Sequence, residues 1–309
     1  MKNRVQGIIG ISSVMANWNA DFTGRPKCTS DGDIFGSDKA LKYSIRRYMN
    51  NTGHKVLFFK SYKADGKDEK LQPKDLNERY EEIFNSKVEK KTSSKEVLKN
   101  LFSAIDVMNF GATFAVADQN ISLMGVAQIG QGFNKYEDST SEVQDILSPF
   151  RNSKKGEADA STLGKQTISN EAHYFYSFSV NPQNYDEYIG LIDGFNGYTK
   201  EAYEVFKEGA LVGATALNTC SKTGCENEFA LFIEFKEGAK TYLPNLDKYI
   251  IFEKDEKNII DLTKLVILED KNILNSIEKI EIYYNPYTTE LKHNLTKTKV
   301  YNIFTREEI

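Results

Sequence analysis

Val5-Gln6-Gly7-Ile8-Ile9-Gly10-Ile11-Ser12-Ser13-Val14-Met15 is the stretch whose reading decides the fold. Val5, Gly7, Ile9 and Ile11 alternate in part with Gln6, Ile8, Gly10 and Ser12, the pattern of a largely buried first strand. After it, residues 16–37 are rich in Asn, Asp, Gly, Pro and Ser, which satisfy turn geometry, and they end at an N-cap of Ser37 or Asp38. The spacing then predicts a helix to about Asn50, stopped by Asn51-Thr52-Gly53.

Outward from this unit, residues 55–62 read as a strand through Val56, Leu57, Phe58 and Phe59. A charged segment over 65–95 contains a helix at 73–85, where Leu76, Tyr80, Ile83 and Phe84 stand at helical spacing. A second helix spans 94–108, and 111–117 with 121–129 read as two strands joined by a tight turn at 118–120. Aliphatics thin out between 134 and 170, a long, weakly structured insert of the kind that is functional or disordered. Residues 172–180 form an aromatic strand, 185–192 and 199–212 are helical, 229–235 is a strand, and the tail alternates short strands and turns. The order β-α-β-insert-α-ββ-insert-β-α-β predicts one α+β domain over 1–309. It is compatible with a modified RRM (ferredoxin-like) core carrying insertions at 65–108 and 134–170 and an extension at 240–309 of unknown role.

Composition bounds the function classes. Hydrophobic residues make up 40% and aromatics 12% of the 309 residues, which excludes wholesale disorder. No run approaches the roughly 20 apolar residues of a membrane span, and the odd set Cys28, Cys220 and Cys225 argues against a disulfide framework. Cytoplasm is the expected location. The formal net charge of −4 gives no support to nucleic-acid binding, so that function must rest on local patches.

One such patch lies on the helix after Ser37. At about 100° per residue, Lys39, Lys42 and Arg46 fall within roughly 60° of one another, while Leu41, Ile45 and Tyr48 share the other side. Cations on a helix pinned by an apolar face suit phosphate binding, although a solvated helical face has the same pattern. Asn17-Trp18-Asn19-Ala20-Asp21 and Gly24-Arg25-Pro26 precede it and offer amide donors and an Arg, or ordinary turn chemistry. Residues 125–133, glycine-rich, lack the Lys-Ser/Thr ending of a P-loop and the spacing of a dinucleotide fingerprint, so no nucleotide cofactor is expected. His54, His173 and His293 form no pair at metal-ligand spacing, Cys220 and Cys225 are too far apart for a common zinc motif, and Asp31-Gly32-Asp33 fits a turn. No metal is expected, and no catalytic residue stands out.

Four stretches in order carry a likeness: Asn17-x-Asn19-x-Asp21 with Gly24-Arg25-Pro26 before the helix that ends Ile45-Arg46-Arg47; residues 106–111; Ala127-Gln128-Ile129; and Ser161-Thr162-Leu163-Gly164-Lys165-Gln166 leading into the strand at 173–178. With these the chain resembles the RNA-binding backbone subunits of type I CRISPR-Cas surveillance complexes (Cascade), nearest to the I-B-like branch, over roughly residues 3–235. It departs from the usual Pro-Asn-Gly-Asp after the first Asn, having Trp18-Asn19-Ala20-Asp21. The resemblance implies a hand-shaped subunit that is not an enzyme. Copies stack along one CRISPR RNA with other Cascade subunits, grip its backbone without sequence specificity, and present guide bases to target DNA in antiviral defence. A thumb-like hairpin would occupy 148–170, with Lys154, Lys155 and Lys165. The implied RNA contacts are these three with Asn17, Asn19, Arg25, Ser37, Lys39, Lys42, Arg46, Gln128, Asn218 and Lys222, the last in a loop Ser221-Lys222-Thr223-Gly224. Relatives in type III complexes cleave RNA through an acidic thumb residue, which makes Glu157 and Asp159 the candidates for an alternative, metal-dependent endonuclease. A structural assembly protein that binds no nucleic acid is the third reading.

Overall fold

The computed structural model describes residues 1–65, 69–147 and 163–309. In chain order the elements are β1 (Val5–Ala16), β2 (Phe35–Gly36), α1 (Asp38–Asn51), β3 (Tyr62–Asp65), β4 (Lys70–Pro73), α2 (Leu76–Phe84), α3 (Ser94–Ser103), α4 (Ile105–Phe110), β5 (Gly111–Val116), β6 (Gln119–Met124) and β7 (Ala127–Asn134). There follow β8 (Ser141–Leu147), β9 (Leu163–Val180), α5 (Lys200–Val212), β10 (Cys225–Phe235), β11 (Ile251–Lys254), β12 (Asn258–Asp261), α6 (Lys271–Ser276), β13 (Ile277–Tyr284), β14 (Thr289–Lys292) and β15 (Thr298–Asn302). The class is α+β, as the sequence predicts.

β1 sits mid-sheet in the order β15-β13-β10-β1-β9-β7-β2, antiparallel to both neighbours, with Val5 opposite Val180 of β9 and Glu234 of β10. Its partial alternation has a cause: both faces are covered. Val5 and Ile9 join Tyr174, Tyr176, Phe178 and Phe232 beneath Leu41, Ile45 and Met49 of α1 and Phe206 of α5. Ile8 joins Phe175, Phe229, Leu231 and Ile233 on the other face, beneath Leu246, Phe252, Ile260 and Leu268. A strand buried on both faces needs apolar residues at nearly every position, so period two blurs. Residues after 240 supply β13 and β15 to this sheet and form the three-stranded sheet β11-β12-β14 over its second face.

Four elements depart from the sequence expectation. Residues 55–61 form no strand, although Val56 and Leu57 are buried. Their backbone groups find side chains instead of a ladder: Asp106 accepts from the Leu57 and Phe58 amides at 2.8 and 3.0 Å, and Arg79 donates to the Val56 and Leu57 carbonyls. The helix expected over 94–108 breaks at Ala104, whose ψ is 125°, into α3 and α4. The strand expected over 121–129 divides because Gly125 packs its backbone onto Phe110, where a Cβ would lie 2.2 Å from the Phe110 carbonyl carbon. β5 and β6 therefore make a separate hairpin, turned by Ala117 and Asp118 at φ 47° and 69°, while β7 returns to the main sheet. The helix expected over 185–192 is a 3₁₀ segment at Pro182–Tyr188. The insert is in part a paired ladder, β8 against the first half of β9, from Ser141 opposite Ser169 to Leu147 opposite Leu163.

The second core is locked onto the sheet by a buried charge cluster. His173 stacks on Phe252 with ring centroids 3.9 Å apart, and its two nitrogens lie 2.8 Å from Glu228 and 3.0 Å from Glu171. Glu171 also pairs with Lys254 of β11. Burial pulls the His173 pKa down, but the two carboxylates outweigh it and the net shift is upward from 6.5. Stability from this group is full below 6.5 and lost as pH rises through the raised value, whereas the lowered Glu171 loses its share only in acid. The urea midpoint is expected to fall as pH rises above 6.5 through the raised His173 value, and His173→Gln to flatten that slope; parallel profiles would refute the linkage.

Candidate nucleic-acid interface

The loop between β1 and α1 is built around Trp18, which is buried and donates its indole N–H to the Tyr176 hydroxyl at 2.6 Å. A Cβ on Gly36 would lie 1.8 Å from that hydroxyl, so only glycine lets the chain pass over the pair. Asn17 donates from its amide to the carbonyls of Gly24 and Thr167 at 3.0 and 2.9 Å, and its backbone N–H donates to the Ser221 carbonyl. Lys222 donates to the Asn17 carbonyl and lies 6.0 Å from the Trp18 ring. Burial holds its pKa below the usual lysine value. Further along, Asp21 accepts from the Thr23 hydroxyl and from the amides of Thr23 and Arg25, which closes the turn and lowers its pKa.

Ser37 caps α1, accepting from the Ala40 amide, while its own amide donates to Asn19 at 2.7 Å. Asn17, Asn19, Ser37 and Lys222, four of the residues expected to meet RNA, each make a hydrogen bond that helps hold the shape of the loop. Two cations of the expected stripe are likewise committed. Lys42 pairs with Asp38 at 3.1 Å, and Arg46 pairs with the buried Asp106 at 3.3 Å with its guanidinium 5.0 Å from the Phe110 ring. Burial lowers the Arg46 pKa, against the opposing charge of Asp106.

Arg25, Lys39 and Lys165 are different. Each is exposed, and among the described residues none forms an ion pair. Arg25 follows Gly24 and Lys165 is two residues from Thr167, the two carbonyls that Asn17 holds; Lys39 is two residues from Ser37, which Asn19 holds. Arg25, Lys39 and Lys165 thus each lie within two residues of a backbone group that Asn17 or Asn19 holds. Asn218 is exposed in the turn that leads to Lys222. Gln128 does not join them: it pairs in register with Ser179 near the other end of β1, and its amide donates to the Gly125 carbonyl. Lys154, Lys155, Glu157 and Asp159 lie outside the described residues.

Sequence reasoning missed an aromatic shelf beside the cations. Tyr43, exposed, stacks on Phe59 at 5.9 Å and 12°, and the Arg47 guanidinium lies 5.2 Å from the Phe59 ring. The signal was present as Lys39, Tyr43 and Arg47 at i, i+4 and i+8 on one helix face.

The CRISPR-associated protein Cas7 family matches residues 3–284, and the chain belongs to that family. A chain of a solved "CRISPR RNA-guided surveillance complex, pre-nicking" is similar in fold, with a TM-score of 0.54 at 11% identity over 95% of this chain and 96% of that one. A second "CRISPR RNA-guided surveillance complex" aligns at a TM-score of 0.46 with 12% identity, covering 94% and 95%. The ribosome maturation factor RimM of Ehrlichia ruminantium (strain Gardel) is 36% identical over 106 residues, 34% of this chain and 55% of that protein. The chain thus spans about half the length of the curated relative it matches. Among the described residues no helix is long and apolar enough to cross a membrane.

Proposed function

We propose that this chain is the CRISPR RNA-binding backbone subunit of a type I CRISPR-Cas interference complex, in the I-B-like branch, and works in the cytoplasm without catalysing a reaction. Copies of it associate along one guide RNA together with other subunits of the complex. They hold the sugar-phosphate backbone and leave bases free to pair with target DNA, so sequence specificity resides in the guide.

Family membership supports this reading, and one observation carries it: Arg25, Lys39 and Lys165, exposed and free of ion pairs among the described residues, border a loop pinned by Trp18, Asn17 and Lys222. Free cations on a rigid scaffold favour a polyanion because little is lost in ordering them and counterions are released. Amides and ammonium groups at that edge read no base, which suits a guide of any sequence.

The test is co-expression with a repeat-spacer RNA, followed by native mass measurement and nuclease protection. Multimers that carry one RNA, protected at regular intervals, are the expected result. A monomer that purifies free of RNA and protects none would overturn the proposal. Metal-dependent cleavage of complementary RNA in the same preparation would favour the endonuclease reading instead.

A further inference from the structure

At the other end of β1 from the loop just described, Arg4 and the turn after β10 enclose a hollow of about 360 Å3 lined by Lys2, Arg4, Gln183, Lys236, Lys240 and Tyr242. β1 spans Val5–Ala16, and at ~3.3 Å per residue the two ends are roughly 35 Å apart. No residue of the RNA face proposed above lines this hollow.

Its construction is specific. Arg4 is buried, and one of its terminal nitrogens donates to the carbonyls of Ala239 and Thr241 at 2.8 and 2.6 Å, which fixes the turn. Its guanidinium carbon lies 4.0 Å from the Tyr242 ring centroid and 5.1 Å from that of Phe235. Tyr242 is therefore backed by a cation on one side, yet it is 70% exposed, so ring surface is left for a ligand. Lys236 and Lys240 are exposed beside it, and among the described residues Lys2 is engaged only by Glu237 at 3.8 Å, with both side chains largely in solvent. Such a pair is weak and exchanges readily for another anion. Among the described residues no carboxylate lines the hollow, and the nearby acids are accounted for: Glu237 on Lys2, Glu234 on Lys279, and Asp186 in the adjoining hollow.

We propose that this hollow is a second nucleic-acid site, one that takes a single-stranded segment with a base stacked on Tyr242 and its phosphates among Lys2, Lys236 and Lys240. Lys236 and Lys240, without an ion pair among the described residues, stand beside the buried Arg4 and the loosely held Lys2; these like charges repel one another, and an anion relieves that repulsion. The aromatic ring selects among anions. A carboxylate-rich peptide or inorganic phosphate would use the cations and leave the ring idle, whereas single-stranded nucleic acid uses both stacking and charge. The site is independent of the guide-binding reading and stands or falls on separate residues.

The experiment uses the full chain with 12-nucleotide RNA and DNA single strands bearing a photoreactive uracil, with crosslinks mapped by peptide mass and affinities measured against salt. Crosslinks to the segment 236–242 are expected, competed by unlabelled strand and not by polyglutamate. Lys236→Glu with Lys240→Glu should weaken that crosslink about tenfold and reduce the salt slope by roughly 1.4, at ~0.7 per phosphate contact in a single strand. Tyr242→Ala should weaken binding at this site about tenfold and Tyr242→Phe should preserve it, as stacking requires. A crosslink with RNA alone or DNA alone supports the site and names its strand. Crosslinks confined to the 17–37 loop face, or equal competition by polyglutamate, would overturn it.

Discussion

Replacing Asp106 by alanine is expected to destabilise the fold by about 3–5 kcal/mol, the cost of removing one partner from a buried ion pair. The carboxylate has no solvent exposure and serves three donors: the Leu57 and Phe58 amides and the Arg46 Nε. Alanine would leave two amides without an acceptor and a guanidinium, lodged between Phe58 and Phe110, without a counter-charge. Arg46→Ala should cost less, because Asp106 would keep both amides. Urea unfolding checks the order: the midpoint should drop most for Asp106→Ala, with little change in slope, and an unmoved midpoint would refute the role. A loss of RNA affinity in an Arg46 variant would then need correction for unfolded protein before it could count as a lost phosphate contact.

That pair also marks the limit of what the sequence discloses. Val56, Leu57, Phe58 and Phe59 have strand composition and are half or wholly buried, so local pattern assigns them to a ladder. What decides their conformation is a carboxylate 48 residues away in sequence from Phe58, and no local pattern reports it. β1, α1, α5 and the aromatic part of β9 were legible for the opposite reason: burial, capping by Ser37 and Thr199, and helical spacing all act within a few residues. The division between β6 and β7 rests on the close approach of Gly125 to Phe110, a long-range fact that a glycine announces without locating.

For the candidate site, the sequence names the cations and amides but not the partners that the fold gives them. A helical wheel places Lys39, Lys42 and Arg46 on one stripe and puts Asp38 one turn before Lys42, but it cannot show that Asp106 of α4 occupies Arg46. Pairing with Asp38 one turn back on the same helix, and with Asp106 of α4, leaves Lys39 as the member of the stripe without an ion pair among the described residues. Conversely, Arg25 and Lys165 lie far apart in sequence and meet the same loop through the two carbonyls that Asn17 holds.

Reversing Arg25, Lys39 and Lys165 to glutamate together is expected to weaken RNA binding about a hundredfold near 0.1 M salt. The estimate follows from ~1 kcal/mol per pair of unit charges at 4 Å in water, with each reversal trading attraction for repulsion and screening reducing the sum. Counterion release gives an independent signature: three lost contacts at ~0.7 each should lower the salt slope by roughly 2. All three side chains are exposed and outside the hydrogen-bond framework of the loop, so the unfolding free energy should stay within about 0.5 kcal/mol per site of the parent. Lys42→Ala is the discriminating control. If Asp38 keeps this ammonium occupied, its removal changes affinity and salt slope little, because no counterion is released there on binding. A loss in Lys42→Ala as large as in the triple variant would mean that the Asp38 pair opens on RNA, and the free-cation account would fail; an unaltered slope in the triple variant would remove this face from the RNA path altogether.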